Sequence, residues 1–326
     1  MNVLEVNNLV MHYKLFGGKR VKAVDGISFS VEERKTTGIV GESGCGKSSI
    51  AGTILRTLPD NGEIKEGNIN FRYGEIVGKN GRIDLLTLPE KDMKKIRWKG
   101  ISMIFQGAMN SLNPVHRVGD QLTEIMKYKD KLSKEEAEKK LDKLCEMVHI
   151  KPGRMKDYPH QFSGGMKQRA IIAMALSTDP RLIIADEPTT ALDLITQDRI
   201  LDEMKEIQKK LGMSMIFISH DLSMVSEISD HVVVMYAGKI VESCNKRELF
   251  KEPLHPYTQG LIKSCSRIRG EKKKLSGIPG EPPNLASPPE GCRFHPRCPM
   301  TMGKCREREP KYREVEKGHL VACWAV

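Results

Sequence analysis

The sequence has no long hydrophobic run. Ala170 to Leu176 and Val232 to Ala237, among the longer apolar stretches, stop far short of the roughly 18 residues that a membrane-crossing helix needs. That excludes membrane-spanning helices, so any membrane role must be peripheral, through partner proteins. The N-terminus lacks the basic-then-apolar layout of an export signal, so we expect a reducing compartment and unpaired thiols. Internal repeats and low-complexity tracts are absent too. So are the close C-x₂₋₄-C pairs that structural zinc sites usually employ.

What is present suits a globular protein. Of 326 residues, 39% are hydrophobic and 29% charged, enough for one large domain with an appendage or two modest domains. The net charge of +11 is uneven: from Pro256 onward 14 lysines and arginines face 7 acidic residues, which gives +7. A basic tail fits nucleic acid, anionic headgroups, an acidic partner, the shell of an anionic cofactor, or merely a solvated surface. Charge alone does not decide among them. Cys45, Cys145, Cys244 and Cys265 stand alone and read as packing or surface residues, whereas four further cysteines crowd the C-terminus.

The run Gly41, Glu42, Ser43, Gly44, Cys45, Gly46, Lys47, Ser48, Ser49 fits G-x-x-x-x-G-K-[ST]. It follows Thr37-Gly38-Ile39-Val40, which reads as a buried strand, and precedes Ile50 to Leu55, which can open a helix. Glycines let backbone N–H groups curl around a phosphate chain, and the helix N-terminus adds favourable partial charge. Lys47 would reach the β- and γ-phosphates, and the Ser48 hydroxyl would sit on Mg²⁺. These features predict a nucleoside triphosphate site.

Around the loop, Val3 to Val6 and Gly26 to Val31 alternate like strands, and the region to about Asn70 reads as β-rich. Ile101 to Phe105 is another apolar run, ending at Gln106. Leu132 to Val148 predicts an amphipathic helix with a Ser133/Glu136 capping box and Ala137, Leu141, Leu144 and Val148 on one face. There follow a helix over Met166 to Leu176, a strand over Leu182 to Ala185, and a helix over Ile195 to Leu211. Strands over Met215 to Ile218 and Val232 to Tyr236 complete the series. This alternation argues for a mostly parallel sheet covered on both faces. From His255 the texture turns Pro- and Gly-rich, basic and Cys-bearing, so we expect a boundary near there.

Asp186-Glu187 closes an apolar strand, where a Mg²⁺-organising and water-activating pair belongs. Asp186 would hold the metal through its water shell, and Glu187 would polarise the attacking water. Phe162-Ser163-Gly164-Gly165-Met166 enters a helix and makes a second anion-binding N-terminus. One triphosphate does not need two cradles in one chain. Two copies would need them, if each lent one to a shared site.

Taken in order and spacing, these motifs resemble an ABC-type ATPase subunit from end to end. The resemblance implies a P-loop α/β fold of ABC type, with a mostly parallel sheet core, an antiparallel β subdomain and a helical subdomain over about 107–163. The cassette would occupy 1–254. It also implies that Ser163, Gly164, Gly165 and Met166 act in trans on the γ-phosphate. Gln106 resembles the Q-loop glutamine that senses Mg²⁺, Asp193 the D-loop aspartate at the dimer seam, and His220 the switch histidine at the γ-phosphate. Tyr13 stands where that family stacks an aromatic on adenine.

Phe105-Gln106 with Asn110-Ser111-Leu112-Asn113-Pro114, and His255-Pro256-Tyr257-Thr258, are similar to the dipeptide/oligopeptide importer ATPases. That group also includes some nickel importers. Gly107-Ala108 departs from its commoner acidic-Pro pair, and Met166 stands where many ABC proteins carry glutamine. Residues 255–326 resemble the group's small Cys-rich extension through Gly291 to Pro299, Cys305 and Gly318 to Trp324. Cys292, Cys298, Cys305 and Cys323 are spaced C-x₅-C-x₆-C-x₁₇-C. Thiolates ligate zinc and iron–sulfur clusters alike, and disulfides or free thiols stay open. The resemblance points to [4Fe–4S], with zinc as the alternative. Arg293, Arg297 and Arg306 are expected to offset the charge of such a cluster. Because these cysteines lie outside every ATP motif, a structural or docking role is expected for it.

The function so implied is ATP hydrolysis energising di- or oligopeptide uptake, from the cytoplasmic face of the membrane. Implied partners are a homologous ATPase subunit (in isolation, a second copy of this chain), two membrane permeases and, indirectly, an extracytoplasmic binding protein. Nickel uptake by the same importer type is one alternative. Another is a soluble ABC ATPase acting on nucleic acid or ribosomes. A single ATPase unit without a coiled-coil insertion argues against the latter, and no nucleic-acid partner is expected.

Overall fold

A computed structural model describes residues 1–74, 81–264 and 277–326. Cys265 lies outside the described residues. The chain divides into two compact units, Met1–Thr87 with Phe217–Val326, and Leu88–Ile216.

The first unit opens with β1 (Asn2–Lys14) and β2 (Arg20–Glu32), an antiparallel pair that sets Val6 opposite Phe29. Next come β3 (Thr36–Val40), α1 (Lys47–Leu55), β4 (Gly62–Arg72) and β5 (Arg82–Asp84). Strands β2-β1-β4-β5 make the expected antiparallel sheet, in which Val6 also faces Ile69. All five residues of β3 are buried, as a strand covered on both faces requires. After the loop, α1 begins beyond Gly46, whose φ of 106° suits glycine.

The second unit holds α2 (Glu90–Lys99), β6 (Ile101–Ile104), α3 (Val118–Asp130), α4 (Lys134–Met147), α5 (Gly164–Leu176), β7 (Leu182–Asp186) and α6 (Leu194–Leu211). The α4 capping box forms as expected, with Ser133 Oγ accepting from the Glu136 N–H and Glu136 accepting from the Ser133 N–H. Ala137, Leu141, Leu144 and Val148 are all buried. Strands β6 and β7 pair in parallel, Met103 opposite Ile184. Asp193 caps α6, whose buried stripe includes Ile200, Leu201, Met204 and Ile207, and Gly212 ends it with φ 60°.

Strand β8 (Ser214–Ser219) carries the chain back into the first unit. There follow α7 (Leu222–Ile228), β9 (His231–Tyr236), β10 (Lys239–Asn245), α8 (Lys246–Lys251) and α9 (Pro256–Ser264). Strand β9 runs parallel to β3, with Ile39 opposite Val233, and antiparallel to β10. The Cys-rich segment contributes α10 (Gly303–Glu307), β11 (Arg313–Glu316) and β12 (His319–Val321). Strand β12 pairs antiparallel with β10 and β11 with β12, so this segment widens the sheet rather than merely trailing from it. Among the described residues no helix is long and apolar enough to cross a membrane.

Candidate functional site

The phosphate loop lies in the first unit, between β3 and α1. Its glycines are set by close backbone approach. A Cβ on Gly41 would meet the Met235 carbonyl oxygen at 2.2 Å, and one on Gly46 the Ala23 carbonyl oxygen at 2.0 Å. Lys47 is buried, and its ammonium donates to the carbonyl oxygens of Gly41 (2.7 Å) and Glu42 (3.0 Å). The ammonium is therefore held by the loop's own backbone. Ser43, Gly44 and Ser48 are exposed. Burial pushes the Cys45 thiol up despite the adjacent Lys47, so it stays neutral. Tyr13 belongs to this group, its hydroxyl 3.1 Å from Ser49 Oγ. His220, exposed, follows β8 directly.

The carboxylates and the signature lie in the second unit. Asp186 is buried at the end of β7, and Glu187 follows with φ 46°, a left-handed conformation unusual for a glutamate. Such strain persists where the surroundings over-determine it, commonly at functional positions. The Glu187 carboxylate accepts from Gln106 Nε2 and from Thr190 Oγ1, each at 3.2 Å. Gln106 and Glu187, 81 residues apart in sequence, are thus joined by a direct hydrogen bond. Ser163 is the N-cap of α5 and accepts from the Met166 N–H at 3.3 Å, which leaves Gly164 and Gly165 in the first turn. Asp193 accepts from the Thr196 N–H (3.0 Å) and hydroxyl (2.7 Å), which hold its carboxyl below the usual range.

In the C-terminal segment, Cys292, Cys298, Cys305 and Cys323 line one small pocket with Phe294, His295 and Trp324, and none is in a disulfide. Burial pushes Cys292 up to about 11 and raises Cys323 as well, so a metal ion would have to displace their protons. Two of the three arginines expected to offset a cluster's charge, Arg293 and Arg297, pair elsewhere. Arg293 donates to Asp25 and the Ala237 carbonyl, and Arg297 grips Glu42 of the phosphate loop at 2.6 and 3.0 Å. Buried guanidinium groups need fixed acceptors, and these two find theirs outside the thiol pocket. The segment also has an apolar anchor, because Phe294 packs among Tyr236, Tyr257 and His255.

His255-Pro256-Tyr257-Thr258 acts here as a structural element. Burial lowers His255 to about 4, and its neutral ring accepts from the Tyr257 N–H at 3.0 Å. The Tyr257 hydroxyl in turn accepts from the Glu42 N–H, also at 3.0 Å. Neither Tyr257 nor Arg297 stood out in sequence as a neighbour of the loop. Nearby, buried Glu242 accepts from the Leu254 N–H (2.8 Å), the His255 N–H (3.0 Å) and His319 Nε2 (2.7 Å). With Cys244 these side chains cluster closely enough for one metal ion. Protein donors already occupy both carboxylate oxygens, however, and burial keeps the thiol protonated, so the cluster reads as a tie between β10 and β12.

A phosphate loop ahead of a helix, a strand-end Asp-Glu pair and a serine-capped signature helix define a nucleotide-hydrolysing cassette. The comparisons agree. Residues 24–190 match the ABC transporter family, and 241–305 match the family described as oligopeptide/dipeptide transporter, C-terminal region. The chain is 45% identical to the oligopeptide transport ATP-binding protein OppD of Bacillus subtilis, over 99% of its own length and 88% of the relative's. It is likewise 45% identical to the dipeptide transport ATP-binding protein DppD of the same organism, over 99% and 94%. Among solved structures, the dimeric post-hydrolysis state of the ATP-binding cassette MJ0796 with ADP and Pi aligns at TM-score 0.63 and 25% identity, covering 75% of this chain and 99% of that one. The chain belongs to the ABC transporter family, among its oligopeptide and dipeptide transport ATP-binding proteins, and is an ATPase.

Proposed function

We propose that this chain hydrolyses ATP to energise uptake of di- or oligopeptides by an importer whose permeases are separate chains. The observation that carries this reading is the joint match, on one chain, to the ABC cassette and to the oligopeptide/dipeptide C-terminal region. The cassette occupies 1–254, with a helical part over about 107–163, and the Cys-bearing extension 255–326. The chain works at the cytoplasmic face of the membrane, paired with a homologous ATPase subunit beneath two permeases that an extracytoplasmic binding protein supplies.

In this reading residues 41–49 cradle the phosphates, Lys47 bonds to the β- and γ-phosphates, and Tyr13 stacks on adenine. Ser48, Asp186 and Gln106 offer a hydroxyl, a carboxylate and an amide oxygen, the hard oxygen donors that suit Mg²⁺. The bound ion would offset charge on the phosphates. Glu187 takes the proton of the attacking water as its oxygen bonds to the γ-phosphorus. The bond to the β–γ bridging oxygen breaks, and ADP leaves with that electron pair. His220 steadies the γ-phosphate, and Ser163 to Met166 of the opposing subunit close over it, with Asp193 at the seam.

The four C-terminal thiols would hold a [4Fe–4S] cluster that cross-links their segment. Among the described residues no three of these sulfurs lie within 4.8 Å of one another. A single zinc, with Zn–S about 2.3 Å, would draw four sulfurs to about 3.8 Å apart. A four-iron cluster, with its thiolates on separate irons, does not require that approach.

The purified full chain should hydrolyse ATP when Mg²⁺ is supplied, and Lys47→Ala should abolish both hydrolysis and productive ATP binding. Phosphate release and equilibrium ATP binding measure the two. Parent-like activity in Lys47→Ala would remove the loop from the site.

A further inference from the structure

The phosphate-loop pattern leaves its second position open, and here that position holds a carboxylate. Glu42 places a negative charge in the loop that must receive a polyanion. Left alone, the charge opposes binding of the phosphate chain, to an extent that falls as salt screens it. The C-terminal segment supplies the answering charge. Arg297, with a side chain only 5% exposed, meets Glu42 in a two-pronged pair at 2.6 and 3.0 Å. Its Nε donates to the Pro279 carbonyl at 2.8 Å and its Nη2 to the Ile278 carbonyl at 3.2 Å, and the guanidinium lies over the Tyr236 ring. The Glu42 carboxylate raises the guanidinium pKa further, so the group is always charged. The Tyr257 hydroxyl accepts from the Glu42 N–H and so fixes its main chain.

We propose that Arg297 is a positioning residue for nucleotide binding: it neutralises Glu42 and holds that carboxylate back from the phosphate chain. Arg297 directly precedes Cys298, so the order of the thiol-bearing segment governs the charge of the phosphate loop. The extension thereby becomes part of the nucleotide site, and the structural or docking role expected of it is incomplete. The proposal rests on residues 41–49 binding ATP, as proposed above.

The test is equilibrium binding of ADP, which is not consumed, to the full chain by titration calorimetry at low and high salt. Arg297→Ala should raise the Kd at least about fivefold at low salt, and less at high salt, as an unmasked charge requires. Adding Glu42→Gln to Arg297→Ala should restore most of the lost affinity, although it removes a further native contact. Arg297→Lys, which keeps the charge but not the fork, should stay within about twofold of the parent. Parent affinity in Arg297→Ala, or no recovery in the double variant, would overturn the proposal. Should Arg297→Ala fail to fold, an Arg297→Lys Kd at least about fivefold above the parent's would do the same. A parent chain that binds no ADP would instead defeat the reading of the phosphate loop itself.

Discussion

Glu187→Gln should still bind ATP but hydrolyse it at least about 10²-fold more slowly than the parent chain, the lower bound for losing a general base. Glutamine keeps the size and the hydrogen-bonding shape of the side chain, so the contacts with Gln106 and Thr190 can be re-formed. What it loses is the ability to take a proton from water. The backbone at this position is already left-handed, φ 46°, and the substitution leaves it so. The trapped ATP should then drive two chains together, because in the proposed reading the signature of each closes over the nucleotide of the other. Phosphate release under saturating Mg-ATP gives the rate, and sedimentation with and without ATP gives the association. Hydrolysis at the parent rate would show that Glu187 is not the base.

Cys298→Ser should discharge the proposed metal centre. Anaerobically purified parent protein should be brown, with near-stoichiometric iron and acid-labile sulfide, and the variant should be colourless. The pocket lined by the four cysteines is small, and the proposed metal cross-link would add order to a segment otherwise held by Phe294, the two buried arginines and the pairing of β12 with β10. Limited proteolysis should accordingly cut the variant between Gly291 and Cys323. Since Cys298 follows Arg297, ADP affinity should fall with the colour, in the direction expected for Arg297→Ala. A colourless anaerobic parent carrying one zinc per chain would refute the cluster and leave a zinc centre in its place.

The parts of the fold legible in sequence were those whose physics is local. Strand β7 read clearly because burial on both faces demands an apolar run, and β3 because Gly38-Ile39-Val40 leads directly into the phosphate loop. Helix α4 read clearly because its capping box and its stripe lie within 16 residues, Ser133 to Val148. Helix α3 gave no such start signal, as Arg117 at its N-cap makes no side-chain capping bond. Strand β4 was obscured by its polar residues and by Gly67, where φ is 100° and the register with β1 shifts. Strand β11 is exposed throughout, and only its pairing with β12 makes it a strand. The ATP motifs could be placed singly, each being a run of adjacent residues. The pair between Arg297 and Glu42 spans 255 positions, and no local pattern announces it. Arg297 was legible as a basic residue beside a cysteine, but its partner could be found only in three dimensions.

The most direct measurement of the central claim is accumulation of a labelled di- or oligopeptide by cells whose only copy of this subunit is the parent chain or Glu187→Gln, with the native permeases and binding protein in place. Cells with the parent chain should accumulate the peptide against its gradient, and those with the variant should not, even though the variant is present at the membrane. Equal accumulation in both would contradict the account, because peptide uptake would then not depend on ATP hydrolysis by this chain.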